Sequence, residues 1–242
     1  MGTPVKPYGK ESSTKKQEVA EMFDNISGRY DFLNHFLSMG IDRLWRKKAI
    51  RMLQKSQPKK ILDIASGTGD FALEALRLQP TEIVGLDISD GMLEVGRKKM
   101  KKKGVDHIIR MELGDSEAIP YDDHYFDALT VGFGVRNFEN LEKGLAEMLR
   151  VVRPDGKLII LEFSKPKSFP VKQLFGFYSK YLIPVLGKGI SKDKRAYAYL
   201  PESVEAFPEG EAFVNILTKV GYKDVQQKRV SGGIATIYSG TK

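Results

Sequence analysis

The sequence predicts an α/β fold: one mostly parallel, doubly wound sheet with helices on both faces. Three observations carry this expectation. Short apolar runs of strand length alternate with longer amphipathic stretches from Ile61 to Phe163, the rhythm of parallel strands joined by helical crossovers. The first run ends in a glycine-bearing turn, Ser66-Gly67-Thr68-Gly69, directly ahead of a helical pattern. With 242 residues, 41% of them hydrophobic and 29% charged, the chain can bury one substantial core and is too polar to be mainly membrane-spanning.

The elements follow in order. Residues 1–16 are polar and predict a mobile arm. From Gln17 to Leu53 the aromatics Phe23, Tyr30, Phe32, Phe36 and Trp45 sit in a helical pattern that Gln57-Pro58-Lys59-Lys60 interrupts, so residues 17–56 read as a helical cap. Ile61–Ile64 predicts the first strand, Asp70–Leu78 a helix and Glu82–Asp87 the second strand. Ser89 and Asp90 read as the cap of a helix running to about Lys103. Ile108–Leu113 and Phe126–Val131 supply the third and fourth strands, and Leu141–Val152 the next helix. Arg153-Pro154-Asp155-Gly156 then turns the chain into a fifth strand, Lys157–Phe163.

Residues 165–208 break the rhythm. Phe169, Phe175, Phe177, Tyr178, Tyr181, Tyr197 and Tyr199 are interleaved there with Leu, Ile and Lys, which reads either as plain core or as an aromatic cap over the ligand side of the sheet. A helix at Glu209–Val220 leads to strands Asp224–Val230 and Ala235–Tyr238, joined by Ser231-Gly232-Gly233 as a hairpin turn. Residues 17–242 thus read as a single seven-stranded domain whose C-terminal end is antiparallel.

Charge and composition narrow the function classes. Thirty-nine basic against 31 acidic residues give a net charge of +8 and a pI near 9.4. Such an excess serves RNA, anionic lipid or solubility alone, and its densest stretch, Arg97 to Lys103, fits a solvated helix face as well as a patch. The absence of cysteine excludes disulfides, thiolate metal sites and cysteine nucleophiles, and three histidines make a catalytic zinc site a poor fit. No run approaches the roughly 18 apolar residues of a membrane helix. Met1–Gln17 lacks the apolar stretch of a secretory signal, so a cytoplasmic protein is expected.

The strongest local signal is Leu62-Asp63-Ile64-Ala65-Ser66-Gly67-Thr68-Gly69-Asp70. Gly67, Gly69 and Ala72 also satisfy a dinucleotide fingerprint, which alone decides little. Asp63, just ahead of the glycines, separates the readings, because a carboxylate there repels a pyrophosphate but can hold a methionyl ammonium. Asp87 ends the second strand about 20 residues after the glycines, the place of an acid that binds ribose hydroxyls in either cofactor. Asp115, in Gly114-Asp115-Ser116, follows the third strand, where it can accept from an adenine amino group. Three acids at the carboxyl ends of successive strands lie where open α/β sheets bind ligands.

This arrangement resembles the Rossmann-like class I methyltransferase fold, with S-adenosyl-L-methionine as the implied cofactor and no metal. The resemblance places Asp63, Gly67, Thr68, Gly69, Asp87, Asp115, Ser116 and Gly132 around that cofactor. Further segments resemble the menaquinone/ubiquinone C-methyltransferase family. One runs from Tyr30-Asp31-Phe32-Leu33-Asn34 through Ser38 to Trp45; another joins Arg150-Val151-Val152-Arg153-Pro154-Asp155-Gly156 to Leu161-Glu162-Phe163-Ser164-Lys165-Pro166. Gly134-Val135-Arg136-Asn137 and Tyr199-Leu200-Pro201-Glu202-Ser203 complete the match, which covers about Val19 to Tyr238. The chain departs from the usual family pattern at Leu33 (Met), Asp42 (His), Ser66 (Gly), Gly132 (Ser) and Asp155 (Gly).

The resemblance implies methylation of a ring carbon of a polyprenylated quinol, demethylmenaquinol ahead of the methoxybenzoquinol of ubiquinone biosynthesis. Arg136 and Asn137 would orient and stabilise the quinol oxygen, Tyr30 would touch substrate, and Asp70 is the candidate base, with a plain helix N-terminal carboxylate as its alternative reading. His35 reads as structural or as a contact of the cap, with a base role as the lesser reading, and Trp45 as packing for the N-terminal helices. The lipid-borne tail implies peripheral membrane contact, at the inner face of the cell membrane, and a homodimer is left open. Nucleic acid is not expected as a partner. The competing readings are an RNA methyltransferase, an NAD-dependent dehydrogenase and a binding module that keeps the cofactor site without turnover.

Overall fold

The computed structural model describes residues 5–31, 35, 38–177 and 194–242. Its sheet has seven strands: β1 (Lys60–Ile64), β2 (Glu82–Asp87), β3 (Ile109–Leu113), β4 (Phe126–Gly132), β5 (Val152–Phe163), β6 (Lys223–Val230) and β7 (Ala235–Thr241). They lie in the order β3-β2-β1-β4-β5-β7-β6. The first five are mutually parallel, while β7 is antiparallel to both of its neighbours. The chain therefore reverses its direction of travel across the sheet between β1 and β4, and the loops leaving those two strands meet at one edge of a crevice.

Alternating side chains send the two faces of each strand into different cores. Ile61, Ile83, Ala128 and Ile159 face α2 (Ile41–Arg51) and α3 (Asp70–Ala75), packing with Trp45, Ala49, Ile50, Phe71 and Ala72. Leu62, Val84, Leu129 and Leu158 face the opposite side with α5 (Leu141–Val151) and α8 (Glu211–Val220), through Leu145, Met148, Phe213 and Leu217. The result is three layers. Trp45 joins the helical cap to the sheet: its ring meets Phe133 and Phe163, and its indole N–H donates to Ser231 Oγ at 2.8 Å.

A third, smaller cluster joins α1 (Lys15–Ile26) to α7 (Lys194–Ala206) through Val19, Met22, Ala196 and Tyr199. At its other side α1 rests on the start of α4 (Asp90–Lys103), where Asp24 accepts from Ser89 Oγ and the Gly91 amide. Ser89 caps α4 as expected, accepting from the Met92 amide.

Among the described residues the cap contains the helices α1 and α2. Two local expectations differ from the structure. The fifth strand starts at Val152, because Asp155 takes φ of 61° and lets Arg153–Gly156 stay in the strand as an irregularity against β4. The described part of the arm expected to be mobile is tied down. The buried Glu18 carboxylate accepts from the amides of Tyr8, Gly9 and Lys10 and from Ser13 Oγ, which wraps residues 8–13 around the first turn of α1. Of the aromatic insertion, α6 (Val171–Phe177) and α7 are described; Tyr178 and Tyr181 lie outside the described residues, as do the side chains of Phe175, Phe177 and Tyr197.

Candidate active site

Three adjoining hollows open at the carboxyl ends of β1, β2 and β4. The first, of about 640 Å³, is lined by Gly67, Asp87, Asp115, Ser116, Gly132 and Asn137 and roofed by Lys16, Val19 and Phe23 of α1. The second, of about 370 Å³, lies against Asp63, Ser66, Gly67, Thr68, Asp70 and Gly132. The third, of about 740 Å³, is largely apolar, with Met22, Phe23, Ile26, Phe163, Tyr199 and Leu200 around the polar groups of Ser38, Asp42, Arg46 and Arg136. Tyr30 and Phe133 line all three and stand at their junction.

The glycine turn shapes the first two. Gly69 caps α3 with φ of 81°, a left-handed conformation that costs a residue with a Cβ roughly 1–2 kcal/mol. Gly67, with φ of 56°, donates its amide to Asp87 Oδ2 at 2.7 Å, and Asp87 Oδ1 accepts from Ser89 at 2.9 Å. Asp87 thus ties the loops after β1 and β2 together while it lines the first hollow. Burial raises its carboxyl above the ordinary range.

Asp63 has no exposed surface. One oxygen accepts from Thr130 Oγ1 at 2.7 Å across the β1–β4 register, and the other has no partner. Burial pushes its carboxyl up to about 7. Ser66 Oγ, in the wall of the same hollow, is likewise buried without a partner. An unmatched carboxylate oxygen and a spare hydroxyl beside a glycine turn are the complement of an amino-acid ammonium.

The charged groups at the junction form a continuous network. Asp70 Oδ1 lies 2.9 Å from Lys99 Nζ, and its Oδ2 is 3.8 Å from Arg46 and 3.3 Å from His35 Nε2. Burial opposes ionisation of Asp70, but Arg46, Lys99 and His35 outweigh it and hold the carboxyl below its ordinary range. Thr68 turns its hydroxyl to Asp31 and Lys99 rather than into open space. The Arg136 side chain is only 7% exposed and pairs with the fully buried Glu162 at 2.9 Å; it also donates to Phe133 O and to Ser203 Oγ of α7. Asn137 accepts from Tyr199 OH at 3.1 Å.

Eleven of the twelve site residues expected from sequence line these hollows; Gly69 shapes the turn from behind. The sequence reading assigned no site role to Lys16, Arg46, Lys99, Phe133 or Glu162. Glu162 is visible in sequence only as part of a family signature, and Phe133 only as the residue between two glycines.

A family model, the ubiE/COQ5 methyltransferase family, matches residues 11–242. The chain belongs to this family. A Bacteroides fragilis protein named demethylmenaquinone methyltransferase is 50% identical over 98% of this chain and 97% of its own length. A Porphyromonas gingivalis protein of the same name is 43% identical over the full length of both. A Geobacter sulfurreducens protein named ubiquinone/menaquinone biosynthesis C-methyltransferase is 44% identical over 94% of this chain and 90% of its own.

Among solved structures, a SAM-dependent methyltransferase from Thermotoga maritima superposes with a TM-score of 0.64 at 20% identity, covering 92% of this chain and 99% of that one. The [4+2]-cyclase SpnF gives the same TM-score at 17% identity, covering 100% and 99%, so these likenesses speak for the fold alone. This ubiE/COQ5 family methyltransferase uses S-adenosylmethionine, and its residues fit that cofactor: the unpartnered Asp63 oxygen suits the ammonium, Asp87 and Asp115 stand along the first hollow, and Gly67 leaves the wall between the hollows open.

Proposed function

We propose that the enzyme transfers a methyl group from S-adenosylmethionine to a ring carbon of a polyprenylated quinol, with demethylmenaquinol ahead of a methoxybenzoquinol. The observation that carries this reading is the make-up of the third hollow. Phe133 and Phe163 stack there with centroids 4.4 Å apart, Arg46 lies 5.9 Å from the first ring and Arg136 5.6 Å from the second. Two guanidiniums on the wall of one aromatic-lined hollow suit a flat ring with oxygens at opposite ends. The names of the Bacteroides and Porphyromonas relatives favour the naphthoquinol ring.

The cofactor, when bound, supplies a methyl group already activated on a cationic sulfur. The protein's task is then to align the ring carbon and enrich it in electrons, and alignment alone is worth about 7–11 kcal/mol in favourable intramolecular cases. Tyr30 and Phe133, at the junction of the hollows, would set the approach of the ring. Arg136 and Asn137 would orient a quinol oxygen. A guanidinium does not accept a proton, so Arg136 acts here by charge and position. Ala196, Tyr199 and Leu200 of α7, which line the hollow, would cover the bound ring.

Peripheral contact with a lipid surface belongs to the same reading. Among the described residues no helix is long and apolar enough to cross a membrane. Met39, Leu44 and Phe169 are exposed, with Arg43, Lys48, Lys167 and Lys172 exposed near them in sequence, a composition that suits the interface of an anionic membrane. The deciding experiment is transfer of labelled methyl to short-tailed demethylmenaquinol and to the matching methoxybenzoquinol, each kept reduced. Transfer to the naphthoquinol is expected. Cofactor binding with transfer to neither ring would overturn the reading.

A further inference from the structure

We propose that α7 sets the geometry of the reactive pair: Tyr199 is a positioning residue for Asn137, and Ser203, one turn further on, for Arg136. The inference rests on the quinol reading above, which gives that pair the quinol oxygen, and adds the helix that aims it.

Tyr199 and Ser203 stand four positions apart on α7, so they share one face of it, and both are buried. The short helical turn that carries the pair, Val135–Asn137, meets that face. Tyr199 donates its phenol hydrogen to Asn137 Oδ1 at 3.1 Å. Burial pushes this phenol up to about 12, although Arg136 opposes the shift, so near neutral pH it keeps the hydrogen it donates. With Oδ1 taken, the carboxamide has its two amino hydrogens left to offer. Asn137 lines the first hollow, whereas Tyr199 lines the third. The bond between them therefore crosses the wall that separates the cofactor from the quinol.

Ser203 holds Arg136 in a similar way. Its hydroxyl donates to Leu200 O at 2.9 Å, which turns a lone pair toward Arg136 Nε at 3.3 Å. Nη1 is taken by Glu162 and Phe133 O. Two of the three guanidinium nitrogens are thus fixed, and because the group is planar its plane is fixed with them. Nη2 is left for the third hollow, which Arg136 lines.

The packing of Tyr199 does not call for its hydroxyl. In the cluster between α1 and α7 its ring meets Val19, Met22 and Ala196, and a phenylalanine would serve that apolar contact equally well. The phenol oxygen is spent on Asn137 alone. From the other side Lys15 of α1 donates to the carbonyls of Arg136 and Phe138, which flank Asn137 in the chain. The backbone of the turn is held by α1, and the two side chains it presents are aimed by α7.

The test uses the full chain with Tyr199→Phe, Ser203→Ala and Asn137→Ala, singly and with Tyr199→Phe added to each of the other two. Single-turnover methyl transfer to short-tailed demethylmenaquinol is measured together with S-adenosylhomocysteine affinity. Tyr199→Phe should slow transfer about 10–100-fold, the scale of a slightly misplaced reacting group, with affinity held within about twofold. Added to Asn137→Ala it should slow transfer by less than about twofold more, whereas added to Ser203→Ala it should keep most of its effect. A merely structural tyrosine would slow all three backgrounds alike, and that result overturns the proposal. A second readout needs no turnover: the side-chain amide signals of Asn137 in nitrogen-edited NMR spectra, assigned by their loss in Asn137→Ala. They should move in Tyr199→Phe and stay in place in Ser203→Ala. Signals that stay in place in Tyr199→Phe would show that Tyr199 does not hold Asn137. If the wild type methylates neither quinol, the functional reading falls separately, and the amide signals still decide whether Tyr199 positions Asn137.

Discussion

Lys16 of the first helix closes on the carboxylate of Asp115, with Glu117 as a second partner at 3.5 Å. Its neighbour Lys15 donates from Nζ to the carbonyls of Arg136 and Phe138, both at 2.9 Å. One helical turn therefore touches the two ends of the first hollow: the acid expected at the adenine and the loop that carries Arg136 and Asn137.

Lys16 competes for the carboxylate that an adenine amino group would use. Replacement of Lys16 by Met should therefore tighten S-adenosylhomocysteine binding several-fold by calorimetry. Stability should change by less than about 1 kcal/mol, since pairs this exposed contribute little. Weaker binding would instead make Lys16 a ligand contact.

Asp63 predicts a proton coupled to cofactor binding. Its carboxyl, raised by burial from 3.8 to about 7, holds its proton more tightly folded than unfolded. Its contribution to stability is therefore fully present below pH 4 and is lost as pH rises through 7. An arriving ammonium favours the charged carboxylate. Near pH 6, titrations in buffers of different ionisation enthalpy should thus show proton release on binding S-adenosylhomocysteine, absent in Asp63→Asn. Proton uptake would contradict this assignment of the ammonium.

The Arg136–Glu162 pair makes single substitutions misleading. Arg136→Met leaves the buried Glu162 carboxyl, already raised by burial, without its partner, and breaking such a pair costs about 3–5 kcal/mol. Adding Glu162→Leu should recover much of that stability in denaturant unfolding without restoring methyl transfer. Recovery of both would confine Arg136 to a structural part.

Lipid contact is testable apart from catalysis. Changing Met39, Leu44 and Phe169 together to Ser should cut co-sedimentation with anionic vesicles at least several-fold, and salt should weaken the wild-type binding. Turnover of a water-soluble short-tailed quinol should be little altered. Unchanged sedimentation would place the surface elsewhere.

The parts of this site legible in sequence are those set by local relations. The glycine turn, the acids at strand ends and the Ser89 cap each depend on a few consecutive residues and on the rule that ligands gather at carboxyl ends of parallel strands. Glu162 could not be paired with Arg136 in that way, because its meeting with a residue on another loop depends on β5 lying beside β4. Lys16 and Asp115 are 99 positions apart. The arm looked mobile because its polar composition gave no hint that one buried carboxylate, Glu18, would gather three of its amides. His35 and Asp42 are seven apart, two turns of an unbroken helix and too distant along it to touch, so the pair emerges only because Met39 and Gly40 take left-handed backbone ahead of α2.

Beneath the cofactor turn, Met111 of β3 fills a notch made by three glycines. A Cβ on Gly85 or Gly96 would come within 2.8 Å of its thioether end, and one on Gly69 within 3.3 Å, with Met100 closer still. These glycines sit on different elements and far apart in the chain, so the space under the turn is shared property. A side chain added at any of the three must displace a methionine end, and a shorter residue in place of Met111 leaves a void beneath all three. Lineages of this enzyme would then be expected to change the glycines and methionines in concert, and oxidation of Met111 to its bulkier sulfoxide would press on the turn from below with no change in sequence at all.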